Sequence, residues 1–308
     1  MTAFRYYITI ILAILFLSCE KDITLDIKTQ SDKLVIYSFI YPDSAFQLHF
    51  SKSKDILSLE DYQPALNAGF KMYKNDELFT EQRLPKDVVE RQWEEFKFKE
   101  GDKIRIEAFE RQGDTISAET TLIKPILITK IDTTYITSFS QGDGIIPFKK
   151  CKVFMTDPTG VQNYYQLFVV REAWGGDEND VYHSRNVVRY KKDDKVFSHR
   201  DQTTSILEGI DFQGLFDDND IQPSHYGIEI RIPYQEFLLW EGENKVRLTF
   251  YLYHHTFDYY NYFRTKVLSE EFYGSPFFDP VKVHNNINGG LGLFSGMAFH
   301  SDSIIITQ

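Results

Sequence analysis

Apolar and polar residues alternate along most of the chain, in short runs separated by turn residues. In AFQLHFS, Phe46, Leu48 and Phe50 point one way, while Gln47 and His49 point the other. A period of two residues is that of a β-strand with one buried face. The same alternation recurs in YGIEIRIP and NKVRLTFYLYHH, nearer the C-terminus. The pattern predicts an all-β fold.

Turn residues divide this alternation into two groups of short strands. About seven strands fill roughly the first hundred residues of the folded part, and Asn75-Asp76 and Gly101-Asp102 are two of the turns between them. That spacing predicts an immunoglobulin- or transthyretin-like β-sandwich domain over residues 19–125. We predict a second, larger β-sandwich domain over residues 126–308, in which VVRYKKDDKVFS is a hairpin that turns at Asp193-Asp194.

The segment TFDYYNYFRTKVLSEEFYG breaks the two-residue period and predicts the one helix of the second domain. Its apolar side chains recur at helical spacing, Thr256 is suited to cap the N-terminus, and Gly274 lies beyond the C-terminus. One interpretation is an ordinary helix that packs its aromatic face on the sandwich. The other is a tyrosine cluster that faces a partner, because Tyr259 and Tyr262 lie off the apolar stripe.

The C-terminal end of the chain is rich in glycine around Phe294. Four glycines there predict bends or close backbone approach before a final strand at Ile304–Ile306: Gly289, Gly290, Gly292 and Gly296. Aromatic side chains are the usual anchors of protein interfaces. We therefore predict a partner contact on the second domain, around Tyr259, Tyr262 and Phe294.

The composition argues against some partners. The chain has 34 Lys and Arg against 45 Asp and Glu, a net charge of −11. Binding of nucleic acid needs a basic surface that displaces counterions, so a nucleic-acid partner is not expected. Only two cysteines are present, Cys19 and Cys151. Cys151 alternates with apolar residues, so we interpret it as a small hydrophobic residue of a strand.

Histidines and serines give no local signature of catalysis. Of eight histidines, only His254 and His255 are adjacent. On a strand they would point to opposite faces, where the two cannot easily hold one metal ion. No HExxH, CxxC or GxSxG spacing occurs. We predict no metal site, no cofactor and no catalytic residues.

Two acidic clusters leave calcium loops and solvated loops as alternatives. Carboxylate and amide oxygens are the ligands that calcium prefers, but neither cluster has the residue order of an EF-hand. The clusters are Asp217, Asp218, Asn219 and Asp220, and Asp177, Glu178, Asn179 and Asp180.

Residues 1–18 have the pattern of a signal peptide. Arg5 precedes an apolar run from Ile8 to Leu17, and about 10 residues are too few for a bilayer core that needs roughly 20 in a helix. Ser18-Cys19 resembles the end of a bacterial lipobox, which implies lipidation of Cys19 and a membrane anchor. The next three residues are Glu20, Lys21 and Asp22, and they resemble the export signal of Bacteroidota surface lipoproteins. The alternative is that they are ordinary solvated charges near a terminus.

Six segments of the chain stand out together: LSCEKD, KLVIYSFI, AETTLIKP, DPTGVQNYYQLFV, GLFDDNDI and FFDPVKVHNNINGGLGLFSG. In combination they resemble one family, the Bacteroidota lipoproteins grouped as domain of unknown function 4249. The most specific part is the string from Pro280 to Phe294. Members of this family tend to be encoded beside TonB-dependent outer-membrane receptors. The family has no known catalytic residues, so none carry over to this chain.

The resemblance implies a non-enzymatic lipoprotein that is anchored by lipid at the outer membrane and faces outward. In this role it would assist a TonB-dependent transporter, by capturing ligand or by covering the transporter's mouth. The alternative is a free-standing surface lipoprotein that binds a glycan or a protein. A third hypothesis is an enzyme whose residues converge only in the folded chain.

Overall fold

The computed structural model describes residues 33–54, 63–65, 67–85, 89–110, 115–140, 144–176, 181–198, 210–221, 224–276 and 278–308. The predicted signal peptide, Cys19 and the residues 20–22 lie outside these ranges, as does the acidic cluster at residues 177–180. Asp32–Gln308 form one compact unit. In the ranges above, no helix is both long enough and apolar enough to span a bilayer.

The described residues are mostly strand, with one α-helix. The strands are β1 (Leu34–Ile40), β2 (Phe46–Lys52), β3 (Gln63–Pro64), β4 (Gly69–Lys74), β5 (Glu77–Arg83), β6 (Glu90–Trp93), β7 (Lys103–Phe109), β8 (Thr115–Thr121), β9 (Ile128–Ser140), β10 (Gly144–Thr156), β11 (Tyr164–Gly176), β12 (Val181–Val187), β13 (Leu215–Asp217), β14 (His225–Pro233), β15 (Glu243–His255) and β16 (Leu291–Thr307), and the helix is α1 (Phe257–Glu271). The predicted all-β class is confirmed.

The strands form one long sheet and two smaller ones. The long sheet has the order β12-β11-β15-β16-β1-β2-β3, and β13 and β6 pair with β11 and β2. The smaller sheets have the orders β14-β10-β9 and β5-β4-β7-β8. Strands β1 and β16 pair in parallel, with Val35 opposite Leu291 and Ile40 opposite Gly296. The C-terminal strand therefore joins the two halves of the long sheet.

Strand β16 shows how the layers are arranged. Phe294 packs in a core with the four-stranded sheet, and Ile304 and Ile306 pack against a core with the three-stranded sheet. Alternate residues of a strand point to opposite faces, so these even-numbered residues share one face. Both smaller sheets therefore cover the same face of the long sheet, here called the inner face. On the outer face, Ser295 Oγ lies 2.7 Å from Oγ1 of Thr256, at the start of α1.

The inner-face residues separate into two main hydrophobic cores. The first collects residues 34–122 with Ile287 and Phe294, and the second collects residues 126–252. The predicted boundary between residues 125 and 126 falls between these cores. Because the long sheet runs through both parts and β16 contributes to both cores, the division into two separate domains stays a prediction.

The structure confirms several turns and helix caps that the sequence predicted. Asn75 and Asp76 connect β4 to β5 with φ values of +51° and +69°, as a two-residue hairpin turn requires. The Thr256 side chain accepts a hydrogen bond from the Tyr259 backbone N–H and caps α1. Gly274 follows the helix with a φ of +72°. The predicted helix is confirmed.

The hairpin predicted at Asp193-Asp194 is wrong. Strand β12 ends at Val187, and a short 3₁₀ helix follows Asp194. The Asp194 carboxylate accepts hydrogen bonds from the hydroxyl of Tyr226 at 2.6 Å and the backbone N–H of Glu229 at 2.8 Å. Because β14 holds the Asp194 side chain, Asp194 caps the 3₁₀ helix and does not form a hairpin turn.

The predicted final strand at Ile304–Ile306 is much longer than expected, because β16 already begins at Leu291. Three of the four glycines serve close backbone approach, as predicted: Gly290, Gly292 and Gly296. Gly292 has a φ of +119°, and a Cβ at this position would lie 1.8 Å from the Ile36 carbonyl oxygen. Only glycine fits where β16 meets β1.

Candidate functional site

Phe294 does not lie on the surface, so its assignment as a partner contact is wrong. Its side chain is 0% exposed and belongs to the first hydrophobic core. The cause is its position on β16, which points its ring to the inner face. The sequence could not show this, because the orientation depends on how β16 pairs with β1.

Tyr259 and Tyr262 are partly buried, and their role as partner contacts stays a prediction. The ring of Tyr259 stacks on His255 with centroids 4.0 Å apart, and the ring of Tyr262 meets that of Tyr37 at 6.0 Å. On another side of α1, Tyr260 is buried against Tyr164, with centroids 4.7 Å apart. The helix is packed on two sides, and its tyrosines hold it on the sheet.

The same tyrosines lead to a continuous aromatic surface on the outer face. Along β15, Phe250 and Leu252 are buried in the second core, so Tyr251 and Tyr253 point outward. Ring contacts connect these side chains with neighbours from β1, β11, α1 and β16. We call this surface the aromatic face: Phe39, Tyr41, Phe168, Tyr251, Tyr253, Tyr259 and Phe299.

Tyr253 lies at the centre of the aromatic face. Its ring centroid is 5.2 Å from Phe299, 5.6 Å from Phe168 and 6.4 Å from Tyr251. The planes of Tyr253 and Phe299 differ by 35° and those of Tyr253 and Tyr251 by 32°, so these rings form a tilted floor. Phe39 is 37% exposed and Phe299 is 42% exposed, so solvent reaches the face.

Three phenol groups of the aromatic face, those of Tyr41, Tyr253 and Tyr259, are held neutral. Burial, with the nearby Tyr253 and Tyr259, raises the pKa of Tyr41. Burial and Tyr253 raise the pKa of Tyr259 to about 12. Burial also raises the pKa of Tyr253. At neutral pH the face therefore offers hydroxyls and ring surfaces without phenolate charge.

His255, which stacks on Tyr259 of the aromatic face, is also neutral. Burial, with repulsion from His254, lowers its pKa well below the usual value. The amide nitrogen of Gln166 donates to the carbonyl of Gln213, so its oxygen faces His255 Nε2 at 3.2 Å and accepts from it. His254 points the other way and bonds the Lys124 carbonyl at 2.7 Å. The expectation that the two histidines face opposite sides of a strand is confirmed.

Charged side chains gather at the far end of the outer face. Glu172 accepts two hydrogen bonds from Arg247, at 2.9 and 2.6 Å. Trp174 on the same strand stacks on His183, with ring centroids 5.1 Å apart. The Arg247 guanidinium lies over the Trp174 ring, 5.1 Å from its centroid. Arg185 also pairs with Glu172, with an N–O distance of 3.8 Å, and its guanidinium acts on Tyr253 of the aromatic face, so the charges near the face are paired with Glu172.

A groove of about 610 Å³ opens beside Phe168 and Val187 at the edge of the aromatic face. Lys192 and Asp211 line it, and their side chains form an ion pair with an N–O distance of 2.9 Å. The groove is therefore more polar than the aromatic face.

The other residues singled out by the sequence serve the fold. Cys151 is fully buried in the second core, and burial raises the pKa of its thiol to about 12, as expected of a strand hydrophobe. In the remaining acidic cluster, Asp217 accepts from the Tyr260 hydroxyl and Asp218 from the Asn163 backbone N–H. Among the side chains that the structure describes, no three of His, Cys, Asp and Glu gather as metal ligands would.

Sequence reasoning missed most of the aromatic face. The alternation in NKVRLTFYLYHH was a usable signal, because it puts Tyr251 and Tyr253 on the face opposite Leu252. Nothing local shows that Tyr41 and Phe299 join them. Those side chains meet only because β1 and β16, more than 250 residues apart, are neighbours in the sheet.

Comparison with solved structures finds two distant likenesses among its matches. A two-domain fibronectin type III segment of chicken tenascin is 8% identical, with 90% of this chain and 99% of that chain covered and a TM-score of 0.23. Three N-terminal domains of the highly immunogenic outer capsid protein of bacteriophage RB49 are 10% identical, covering 73% of this chain and 64% of that chain, with a TM-score of 0.24. No curated protein matches the sequence.

A protein-family comparison also matches most of the sequence. The match extends over residues 20–303. It takes in the aromatic face and all three sheets, apart from the last residues of β16. The chain therefore belongs to the family described as Domain of unknown function (DUF4249).

Proposed function

We propose that the protein is a non-enzymatic, lipid-anchored lipoprotein of the outer membrane that faces outward and assists a TonB-dependent transporter. It would capture ligand for the transporter or cover its mouth, and the aromatic face would be the contact surface. The observation that carries this proposal is the partly exposed cluster of rings on the outer sheet face. Aromatic side chains at the centre of a patch supply much of the binding energy in known interfaces.

The chemistry of the aromatic face supports binding rather than catalysis. General acids and bases work best with a pKa near the operating pH. Here the pKa of Tyr259 is raised to about 12, while that of His255 is well below its usual value. Neither group exchanges protons readily near neutral pH. Stacked rings and neutral hydroxyls are suited to holding a ligand in place.

The lipobox-like sequence supports a short connection to a membrane. Strand β1 begins at Leu34, 15 positions after Cys19. At about 3.4 Å per extended residue, lipidated Cys19 would keep β1 within roughly 50 Å of the bilayer. A short tether raises the effective concentration toward membrane partners, on the order of millimolar, so a modest interface suffices.

Co-purification tests the proposal directly. The tagged full-length chain is extracted from native membranes in mild detergent, beside a Phe39→Ala/Phe299→Ala variant and a Tyr273→Ala control. Tyr273 is 85% exposed and outside the aromatic face. We expect a TonB-dependent β-barrel with the wild type and the control, and little with the double variant.

The alternative function is a free-standing binding or adhesion module. If no β-barrel accompanies the wild-type chain, the transporter role fails and this alternative replaces it. If the β-barrel accompanies the double variant as well as the wild type, the aromatic face is not the contact surface.

A further inference from the structure

Three tyrosine hydroxyls come together on the aromatic face. The rings of Tyr41 and Tyr253 both contact Phe299, with centroids 5.9 and 5.2 Å away, and the rings of Tyr253 and Tyr259 both stack on His255, at 5.8 and 4.0 Å. The rings come from three different elements, since Tyr41 follows β1, Tyr253 lies on β15 and Tyr259 lies on α1. The fold therefore brings the hydroxyls together from distant parts of the sequence.

These hydroxyls differ in their hydrogen bonding from those of four other tyrosines in the described part of the chain. Tyr165 donates to Asp157 at 2.5 Å, Tyr190 to the Leu167 carbonyl at 2.6 Å. The Tyr226 hydroxyl likewise donates to the Asp194 carboxylate, and the Tyr260 hydroxyl donates to the Asp217 carboxylate. By contrast, the described side chains and backbone offer no hydrogen-bond partner to the hydroxyls of three tyrosines: Tyr41, Tyr253 and Tyr259. Their donors and acceptors remain available to a ligand.

The rings beside these hydroxyls supply an apolar floor. Tyr253 and Phe299 are the closest pair, at 5.2 Å with a tilt of 35°. Phe39 and Phe299 are both more than one third exposed, so a ligand can reach these rings from solvent. A ligand that fits must have flat apolar faces to stack on rings and hydroxyls at its edges. Sugar rings have both, with C–H groups on their faces and hydroxyls around them.

The charge of the site selects among such ligands. The phenols of Tyr41, Tyr253 and Tyr259 and the ring of His255 are neutral, and the neighbouring cations Arg185 and Arg247 are both paired with Glu172. The chain carries a net charge of −11, which repels polyanions. The rings also form a floor rather than a cage around one point, unlike the sites that enclose quaternary ammonium groups.

From this combination we propose that the aromatic face binds a neutral carbohydrate chain, stacked on Tyr253 and Phe299 and hydrogen-bonded by the hydroxyls of Tyr41, Tyr253 and Tyr259. The proposal rests on the ligand-capturing role above and names the class of ligand captured.

Isothermal titration of the full-length chain in detergent tests it, with neutral hexasaccharides of cellulose, starch, xylan and mannan as probes. We expect at least one to bind saturably. A Tyr253→Phe/Tyr259→Phe variant keeps both rings and removes two hydroxyls, so the affinity should fall about tenfold. Phe299→Ala should abolish measurable binding. Tyr135→Phe, an exposed tyrosine on β9, should bind as the wild type does.

Two further probes separate this proposal from its competitors. Heparin and choline represent polyanions and quaternary ammonium ligands, and saturable binding of either without any neutral hexasaccharide would overturn the ligand class. So would unchanged hexasaccharide affinity in the Tyr253→Phe/Tyr259→Phe variant. Co-purification of a β-barrel without binding of any hexasaccharide would also overturn the ligand class, while the transporter role would stand. Hexasaccharide binding without a β-barrel would support the ligand class and contradict the transporter role.

Discussion

At the scale of single residues, an aromatic side chain can look like a contact residue and still be part of the packing. Tyr259 stacks on His255 at 4.0 Å and meets Phe39 at 5.8 Å, so its ring holds α1 on the outer sheet face. Its hydroxyl, however, is left without a partner among the described residues. Ring and hydroxyl of one residue therefore have separate roles, and substitutions can separate them.

Tyr259→Ala should lower the free energy of unfolding by about 2–4 kcal/mol, because it removes a packed ring. Tyr259→Phe keeps the ring and should stay within about 1 kcal/mol of the wild type. Urea denaturation followed by circular dichroism measures both. Tyr273→Ala, at a side chain that is 85% exposed, is the control and should change little. An unaltered midpoint for Tyr259→Ala would contradict the packing role.

Gly292→Ala should destabilise the fold severely, by about 3 kcal/mol or more, since a Cβ there would lie 1.8 Å from the Ile36 carbonyl oxygen. Gly242 is the matched control. It has a φ of +83° but nothing within 4 Å of its added Cβ, so Gly242→Ala should cost only about 1 kcal/mol. Thermal unfolding compares the two. Equal losses would show that conformational freedom alone, and not close approach, explains Gly292.

At the scale of elements, one buried ion pair fixes β11 to the turn that precedes β15. Arg171 is 1% exposed and donates to both carboxylate oxygens of Glu243, at 2.9 and 2.6 Å. The Trp240 ring covers its guanidinium at 4.0 Å, and the Leu238 carbonyl accepts a further hydrogen bond at 2.9 Å. Every strong donor of this buried cation has a partner, which is the condition under which such a pair is tolerated.

Removing Arg171 leaves Glu243 buried without its counter-ion. Arg171→Met should lower the free energy of unfolding by about 3–5 kcal/mol in urea titrations. Lys266→Met is the control, because Lys266 pairs with Glu270 on the exposed surface of α1. Such surface pairs contribute roughly 0.3–0.5 kcal/mol. Similar losses in both variants would mean that burial adds nothing to the Arg171–Glu243 pair.

The same pair predicts a pH dependence. Hydrogen bonds from Arg171 hold the pKa of Glu243 below its usual value of 4.5. Because folding lowers this pKa, the stabilisation is present above pH 4.5 and disappears as the pH falls through the folded-state pKa. As the pH is lowered, the free energy of unfolding should therefore fall less steeply in Glu243→Gln than in the wild type. A parallel fall in both would contradict the linkage.

At the scale of the whole molecule, the layers leave one face of the long sheet available. Both smaller sheets cover the inner face, while α1 packs on part of the outer face beside Ser295. Beyond the helix, Phe299 and Ile305 on β16 are 42% and 56% exposed. A body anchored near a membrane could present this face to a partner in the same surface.

Anchoring itself is predicted to depend on Cys19. Cys19→Ala should abolish lipid labelling, because only the thiol forms the thioether, and should shift the protein out of the outer-membrane fraction. Labelling cells with an alkyne fatty acid, followed by membrane fractionation, measures both effects. Cys151→Ala is the control, since Cys151 is buried in the second core. Lipid labelling that survives in Cys19→Ala would remove the basis for the anchor.

The sequence by itself determined the features whose physical causes are local. Period-two alternation placed Phe46, Leu48 and Phe50 on a buried face, and turn chemistry placed the Asn75-Asp76 hairpin. Capping chemistry gave the start of α1 at Thr256. Each of these features depends on residues that are close together in the chain, so a short stretch of sequence is enough to predict it.

Only the tertiary structure decided which residues share a surface. The pairing of β1 with β16 turned Phe294 inward and brought Phe299 beside Tyr41 and Tyr253. No local pattern encodes that pairing, because it depends on free energy from contacts between the two ends of the chain. The aromatic face is therefore a product of strand order, and the sequence pattern predicted Tyr259 of this face but placed the buried Phe294 beside it.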